Sequence, residues 1–161
     1  MRWAIFLTIV IIAGVFFWIY GGSEITEIAP NVIKQVTAKY VTAEINHVKI
    51  KAEIAKSDTA RAAGLSNRNT LGENTGMVFV FEKPGEYAFW MKDMLFGIDI
   101  IWINNDKVVD ISKNVLPEKG PEYTRYKAKA PIDTVIEVEA GYCEKNGIKI
   151  GQAVTYSQSL R

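Results

Sequence analysis

The chain predicts a mainly β domain of α+β character, with a compact mixed or antiparallel sheet or barrel and short helices, preceded by one N-terminal transmembrane helix. Three observations carry this reading. Trp3 to Tyr20 form an apolar run with no charged side chain. From about Lys39 onward the chain is a succession of short β-rich runs separated by Gly, Pro, Asn and Asp. No repeat or low-complexity tract interrupts that succession.

The run Trp3 to Tyr20 would rise ~27 Å as a helix, enough to cross the hydrocarbon core of a bilayer. Trp3, Trp18 and Tyr20 stand at its ends, where amphipathic rings meet lipid headgroups. A cleaved signal peptide is the alternative, but Tyr20-Gly21-Gly22-Ser23 offers no clear small-x-small cleavage site. Arg2 precedes the run, whereas Glu24 and Glu27 follow it, so the expected topology is a single-pass cell-membrane protein with a cytoplasmic N-terminus and an extracytoplasmic domain. The expected divisions are an anchor or signal at 1–22, a tether at 23–38 released by Gly21-Gly22 and interrupted by Pro30, and an exported β-rich domain at 39–161.

Among the 161 residues, Lys and Arg number 19 and Asp and Glu 18. Arg2 is the sole charge before residue 23, so the exported part is formally neutral and gives no reason to expect nucleic acid as a partner. A single cysteine, Cys143, excludes an intrachain disulfide, and one histidine with no second cysteine offers no zinc site. The domain is therefore expected to fold by packing alone, without cofactor or metal, as a monomer or weak oligomer.

Each element follows from local pattern. Lys39 to Ile45 and Val48 to Ile54 alternate apolar and polar residues around Asn46-His47, a hairpin signature. That position gives His47 a structural explanation. Ser57-Asp58 caps a short alanine-rich helix closed by Gly64. Further strands are expected at Gly76–Phe81, Glu86–Met91, Ile98–Ile103, Val108–Ser112 and Ile132–Val138, with a last one over Ile148–Tyr156 broken by Gly151. Met77 to Phe81 and Ile98 to Ile103 are apolar on both faces, which requires cover on both sides of the sheet. A short turn or helical piece lies between Ala140 and Gly147, with Cys143 expected as a small core residue. Residues 114–131 contain three prolines and no strand-like alternation, so they form a long loop of functional interest.

The words ARAAGLSNR, GMVFVF, FWMKDMLFGIDIIWI and VIEVEAGYCEKNGIKIGQAV, in that order, resemble DUF192, a prokaryotic family named as a domain of unknown function. The resemblance spans about residues 40–156. It implies a compact, mainly β domain, commonly found behind a signal peptide or membrane anchor, and brings no assigned activity. Arg61, Gly64-Leu65, Arg68, Gly76-Met77, Phe81, Phe89-Trp90-Met91-Lys92, Leu95, Asp99-Ile100-Ile101, Gly147 and Gly151 match the family pattern. Ser66-Asn67, Asp93 and Gly97 depart from it, and the extra acid at Asp93 could neutralise Lys92.

Five residues are the candidate ligand-binding set: Arg61, Arg68, Trp90, Lys92 and Asp99. Strand alternation sends Phe89, Met91 and Asp93 one way and Trp90 and Lys92 the other. A Trp-Lys face combines a rigid apolar wall with a point charge and suits an apolar ligand bearing an anionic group. Packing with a solvated lysine is the plainer reading of the same pair. Asp99 opens a strongly apolar strand, where a carboxylate needs a backbone or arginine donor. Arg61 and Arg68 flank the helix end and could orient a carboxylate. The expected recess gathers these residues near the 114–131 loop and takes a small anionic or polar ligand or a short peptide. No G-x-S-x-G, H-E-x-x-H or P-loop occurs, so catalysis is not expected and no nucleophile is assigned. A structural or protein-interaction module is the second reading, and a hydrolase using carboxylates such as Asp93 and Asp99 the third.

Overall fold

The computed structural model describes residues 39–160. The expected anchor over Trp3 to Tyr20 and the tether at 23–38 lie outside them. Among the described residues no helix is long and apolar enough to cross a membrane.

The elements follow in the order β1 (Tyr40–Ile45), β2 (Val48–Ala55), α1 (Asp58–Ala63), β3 (Thr75–Gly85), β4 (Ile98–Asn104), β5 (Lys107–Val115), β6 (Ile132–Glu139), α2 (Tyr142–Lys145) and β7 (Val154–Tyr156). The seven strands form one sheet of order β5-β4-β6-β3-β2-β1-β7. It is mixed, because β2 and β3 pair in parallel while every other neighbouring pair is antiparallel. A parallel pair cannot be joined by a tight hairpin, and the crossover between β2 and β3 is where α1 sits. The sheet curls into a half-barrel. Its two ends meet at one corner, where Val108 donates to the Gln152 carbonyl at 3.0 Å and Val154 to the Asp106 carbonyl at 2.9 Å.

Local chemistry explains the elements. Asn46 and His47 both have positive φ, which is the geometry of a two-residue type I′ hairpin. Ser57 caps α1 by accepting from the Ala60 amide, and Gly64 ends the helix at a φ of 49°. Gly76–Phe81, Ile98–Ile103 and Ile132–Val138 are buried without interruption, as central strands covered on both faces must be. One apolar cluster draws residues from all seven strands, including Ile45, Ile50, Val78, Ile101, Ile136 and Val154. The other lies on the opposite face of the central strands and contains Phe79, Met91, Ile100, Trp102 and Val135.

Two expected strands are corrected. Glu86–Met91 is not a strand: β3 runs on to Gly85, and the segment after it crosses the sheet face with a single bridge, Phe89 to Tyr126. Its rings cover the second cluster, with Phe89 edge-on to Phe79 at 4.9 Å and to Trp102 at 5.4 Å. Ile148–Tyr156 contributes strand only at Val154–Tyr156, since Gly151 takes a φ of 93° and turns the chain before it.

Candidate functional site

The recess is built on the face of the second cluster. The C-terminal end of α1 with Gly64, Leu65 and Ser66 forms one wall, and Phe79 and Phe81 of β3 rise from the sheet. The covering segment adds Tyr87, Phe89, Trp90 and Met94, the 116–131 loop adds Arg125, and β6 adds Glu137. The recess is open to solvent and has a volume of about 270 Å³, the scale of a small organic ligand.

The Phe89–Tyr126 bridge positions the mouth. Phe89 donates to the Tyr126 carbonyl at 2.9 Å and Tyr126 returns a bond at 2.8 Å, so one step along the two segments Arg125 lies opposite Trp90. The Arg125 guanidinium is 3.8 Å from the centre of the Trp90 ring, a cation–π stack in which both side chains stay exposed. The loop itself is tied down by Glu118, which accepts from the Thr124 amide at 2.8 Å and from the Tyr126 hydroxyl at 2.9 Å. The backbone hydrogen bond from Thr124 is the main cause that holds the Glu118 carboxyl below its usual range. Among the described residues no carboxylate pairs with Arg125.

Glu137 is the unusual member. It is 5% exposed, sits between Met77 of β3 and Ile100 of β4, and shares the apolar face of Val135. Its carboxyl makes no hydrogen bond or ion pair with any described residue. Burial pushes it up to about 8, so at neutral pH the carboxyl is mostly protonated.

Of the five expected residues, the structure brings Arg61 and Trp90 into this recess. Arg61 is a wall rather than a free hand: it donates to the Val80 carbonyl at 2.9 Å and to the Lys56 carbonyl, pairs with Asp58, and lies 5.2 Å from the Phe81 ring. Arg68 is elsewhere, pairing with Glu53 at 3.0 Å. Burial opposes ionisation of Glu53, but hydrogen bonds from Arg68 and Lys39 outweigh it and hold the carboxyl below its usual range. Lys92 is exposed, and only its carbonyl is engaged, accepting from the Ser66 hydroxyl at 3.0 Å.

Asp99 does not line the recess. Strand alternation turns it to the face of Ile101 and Ile103, away from Ile100 and Trp102. There it is fully buried and accepts from the amides of Asn114 at 2.7 Å, Gly141 at 3.2 Å and Cys143 at 2.9 Å. Asp93 is exposed in a turn with a φ of 58° and lines the recess no more than Asp99 does. Cys143 is packed in the first cluster, where burial pushes its thiol up and leaves it unreactive. Among the described residues no three His, Cys, Asp or Glu side chains gather as a metal site.

Sequence reasoning missed Arg125, Glu137 and the aromatic set Phe79, Phe81, Tyr87 and Phe89 as site residues. Glu137 carried a usable signal. It sits within Ile132–Val138, an apolar strand like the one headed by Asp99, and an acid in such a strand needs an explanation. Arg125 carried none, because only the long-range bridge to Phe89 selects it among the lysines and acids of its loop.

With this geometry in view, comparison with known proteins is informative about fold. The model of the family DUF192, described as Uncharacterized ACR, matches residues 40–156. A crystal structure of a protein of unknown function from Novosphingobium aromaticivorans is similar at 30% identity and a TM-score of 0.65, covering 72% of this chain and 83% of that one. A putative transcription regulator from Sinorhizobium meliloti shares the fold at 22% identity and a TM-score of 0.66, covering 73% of this chain and 92% of its own. No curated protein matches.

Proposed function

The chain belongs to the DUF192 family, and from that premise we propose that its β-rich domain is a noncatalytic binding module for a small organic ligand or a short peptide segment. The observation that carries this reading is the recess of about 270 Å³ walled by Phe79, Phe81, Tyr87, Phe89 and Trp90, with the Arg125 guanidinium at its mouth and the Glu137 carboxyl at its base. Rings on several sides supply apolar area to a ligand body, and a few polar groups then fix its orientation. Arg125, stacked on Trp90 and without a carboxylate partner among the described residues, is suited to an anionic or polar group entering the mouth. No nucleophile with an adjacent base lines the recess, which favours binding over covalent catalysis.

Trp3 to Tyr20 would hold this domain on the outer face of the membrane, a reading that rests on run length, aromatic ends and Arg2. Membrane fractionation with intact-mass measurement tests it. A soluble mature protein starting beyond residue 20 would overturn it.

The binding proposal is tested by following amide NMR shifts of the labelled full-length chain against a library of small organic acids, amines and short peptides. Shifts should concentrate at Gly64 to Ser66, Phe89, Trp90 and Arg125, and Trp90→Ala should weaken every hit about tenfold. Shifts concentrated on another face would reject the location.

A further inference from the structure

We infer that Glu137 is the specificity-determining group of the recess and receives a protonated nitrogen, so that the ligand is an amine with an apolar body, of the kind an amino acid or a peptide N-terminus supplies. This rests on the reading of the recess as a binding site and goes beyond it by naming what the base of the site selects.

A carboxyl that is 5% exposed normally finds donors, as Asp99 does with three backbone amides on the other face of the sheet. Glu137 has none among the described residues, although its neighbours across the strands are Met77 and Ile100 and its face is otherwise apolar. A carboxyl without a protein partner on so apolar a face is costly even where its oxygens touch the solvent of the recess, and an apolar side chain of the same volume would fit that face more favourably. What distinguishes Glu137 from a misplaced core residue is that it lines the cavity, so its missing partner can enter from the mouth.

The surroundings select the kind of partner. Phe79, Phe89 and Trp90 line the same cavity, and ring faces attract a cation as well as an apolar body. The charged and titratable groups sharing the cavity are Arg61 from α1, Tyr87 from the covering segment and Arg125 from the 116–131 loop. Arg61 is already committed to Asp58 and two carbonyls, and Tyr87 donates to the Lys83 carbonyl at 2.9 Å. Neither is free to complete Glu137. Arg125 is stacked on Trp90 at the mouth and makes no ion pair with Glu137.

At neutral pH the free carboxyl carries its proton because burial disfavours the anion. When the ammonium arrives it keeps its own protons, and Glu137 releases one to solvent, leaving an ion pair in the recess.

Calorimetric titration of the full-length chain at pH 7, in phosphate and in Tris, tests this with three probes that share one ring: phenethylamine, L-phenylalanine and 3-phenylpropanoate. Both amines are expected to bind with a buffer-dependent heat equal to release of roughly one proton. Glu137→Gln, whose fold is checked by cooperative thermal unfolding, should weaken both about tenfold or more and abolish the proton release. It should leave 3-phenylpropanoate unaffected. Binding of 3-phenylpropanoate with both amines silent would overturn the role of Glu137 while retaining the recess as a site, as would amine binding undiminished in Glu137→Gln. Silence from all three probes would count against the recess and the inference together.

Discussion

The amide of Cys143 donates a 2.9 Å hydrogen bond to Oδ2 of Asp99, joining the start of β4 to α2 across 44 residues of chain. With the Asn114 and Gly141 amides on Oδ1, this makes Asp99 the acceptor that organises one end of the sheet. Asp99→Ala removes the acceptor and strands three backbone donors, one of them the amide of the buried Cys143. The expected loss is on the order of 3 kcal/mol, given ~1–3 kcal/mol for a buried donor left unpaired. Chemical denaturation checks it, and a change below ~1 kcal/mol would contradict the assignment.

Glu137 gives the fold a pH dependence of definite sign. Its ordinary value is 4.5, and burial raises it to about 8 in the folded chain. Between those values the folded state holds a proton that the unfolded chain has released, so this group's contribution makes stability fall as pH rises through about 8. Glu53 acts in the opposite direction, its stabilising effect being lost as pH falls below its usual range, outside this window. Glu137→Gln should therefore flatten the decline between pH 5 and 8.5 and stabilise the protein at the upper end by roughly 3–5 kcal/mol. Denaturation midpoints across that pH range are the measurement; parallel curves for the two proteins would refute it.

Gly76 is a packing requirement. A Cβ at this position would collide with the backbone carbonyl oxygen of Glu137 on β6 and would press on Val138 Cγ1 at 3.2 Å. Because the obstacle is the backbone of a paired strand, it cannot move aside like the end of a side chain. Gly76→Ala is expected to destabilise by about 2 kcal/mol through overpacking, measurable as a lowered thermal midpoint with unchanged far-UV signal. An unchanged or raised midpoint would show that β3 and β6 separate freely.

Arg68 and Lys92 should be nearly silent. The Arg68–Glu53 pair is partly solvated, and Lys92 has no ion pair among the described residues. Arg68→Ala should cost about 0.5 kcal/mol, Lys92→Ala less, and neither should alter ligand shifts at Trp90. A tenfold loss of binding in either variant would restore that residue to the site.

Much of the sheet was legible from residue pattern because period-two alternation and turn chemistry are local. Asn46-His47, Ser57 and Gly64 each act through backbone groups within a few residues, so the hairpin and the capped helix could be placed without knowing the fold. The uninterrupted apolar runs at Met77 to Phe81 and Ile98 to Ile103 likewise required cover on both faces, whatever supplied it. Glu86 to Met91 misled for the same reason: its alternation is real, with Met91 buried and Trp90 and Lys92 exposed, but the segment lies across the face of the sheet and pairs only through the Phe89–Tyr126 bridge.

What the sequence determined by itself was the kind of element at each position and the chemistry that needed a partner, such as the carboxyl of Asp99. Which partner each group met was decided only by the tertiary structure. Asp99 and Glu137 are both acids in apolar strands, yet one alternation phase turns the first toward three amides and the other turns the second into an aromatic recess. Arg125 reaches Trp90 because Phe89 pairs with Tyr126, a contact between two irregular segments that no local pattern encodes. Side-chain type is written into the chain residue by residue, but the free energy that selects a long-range pairing belongs to the packed sheet as a whole.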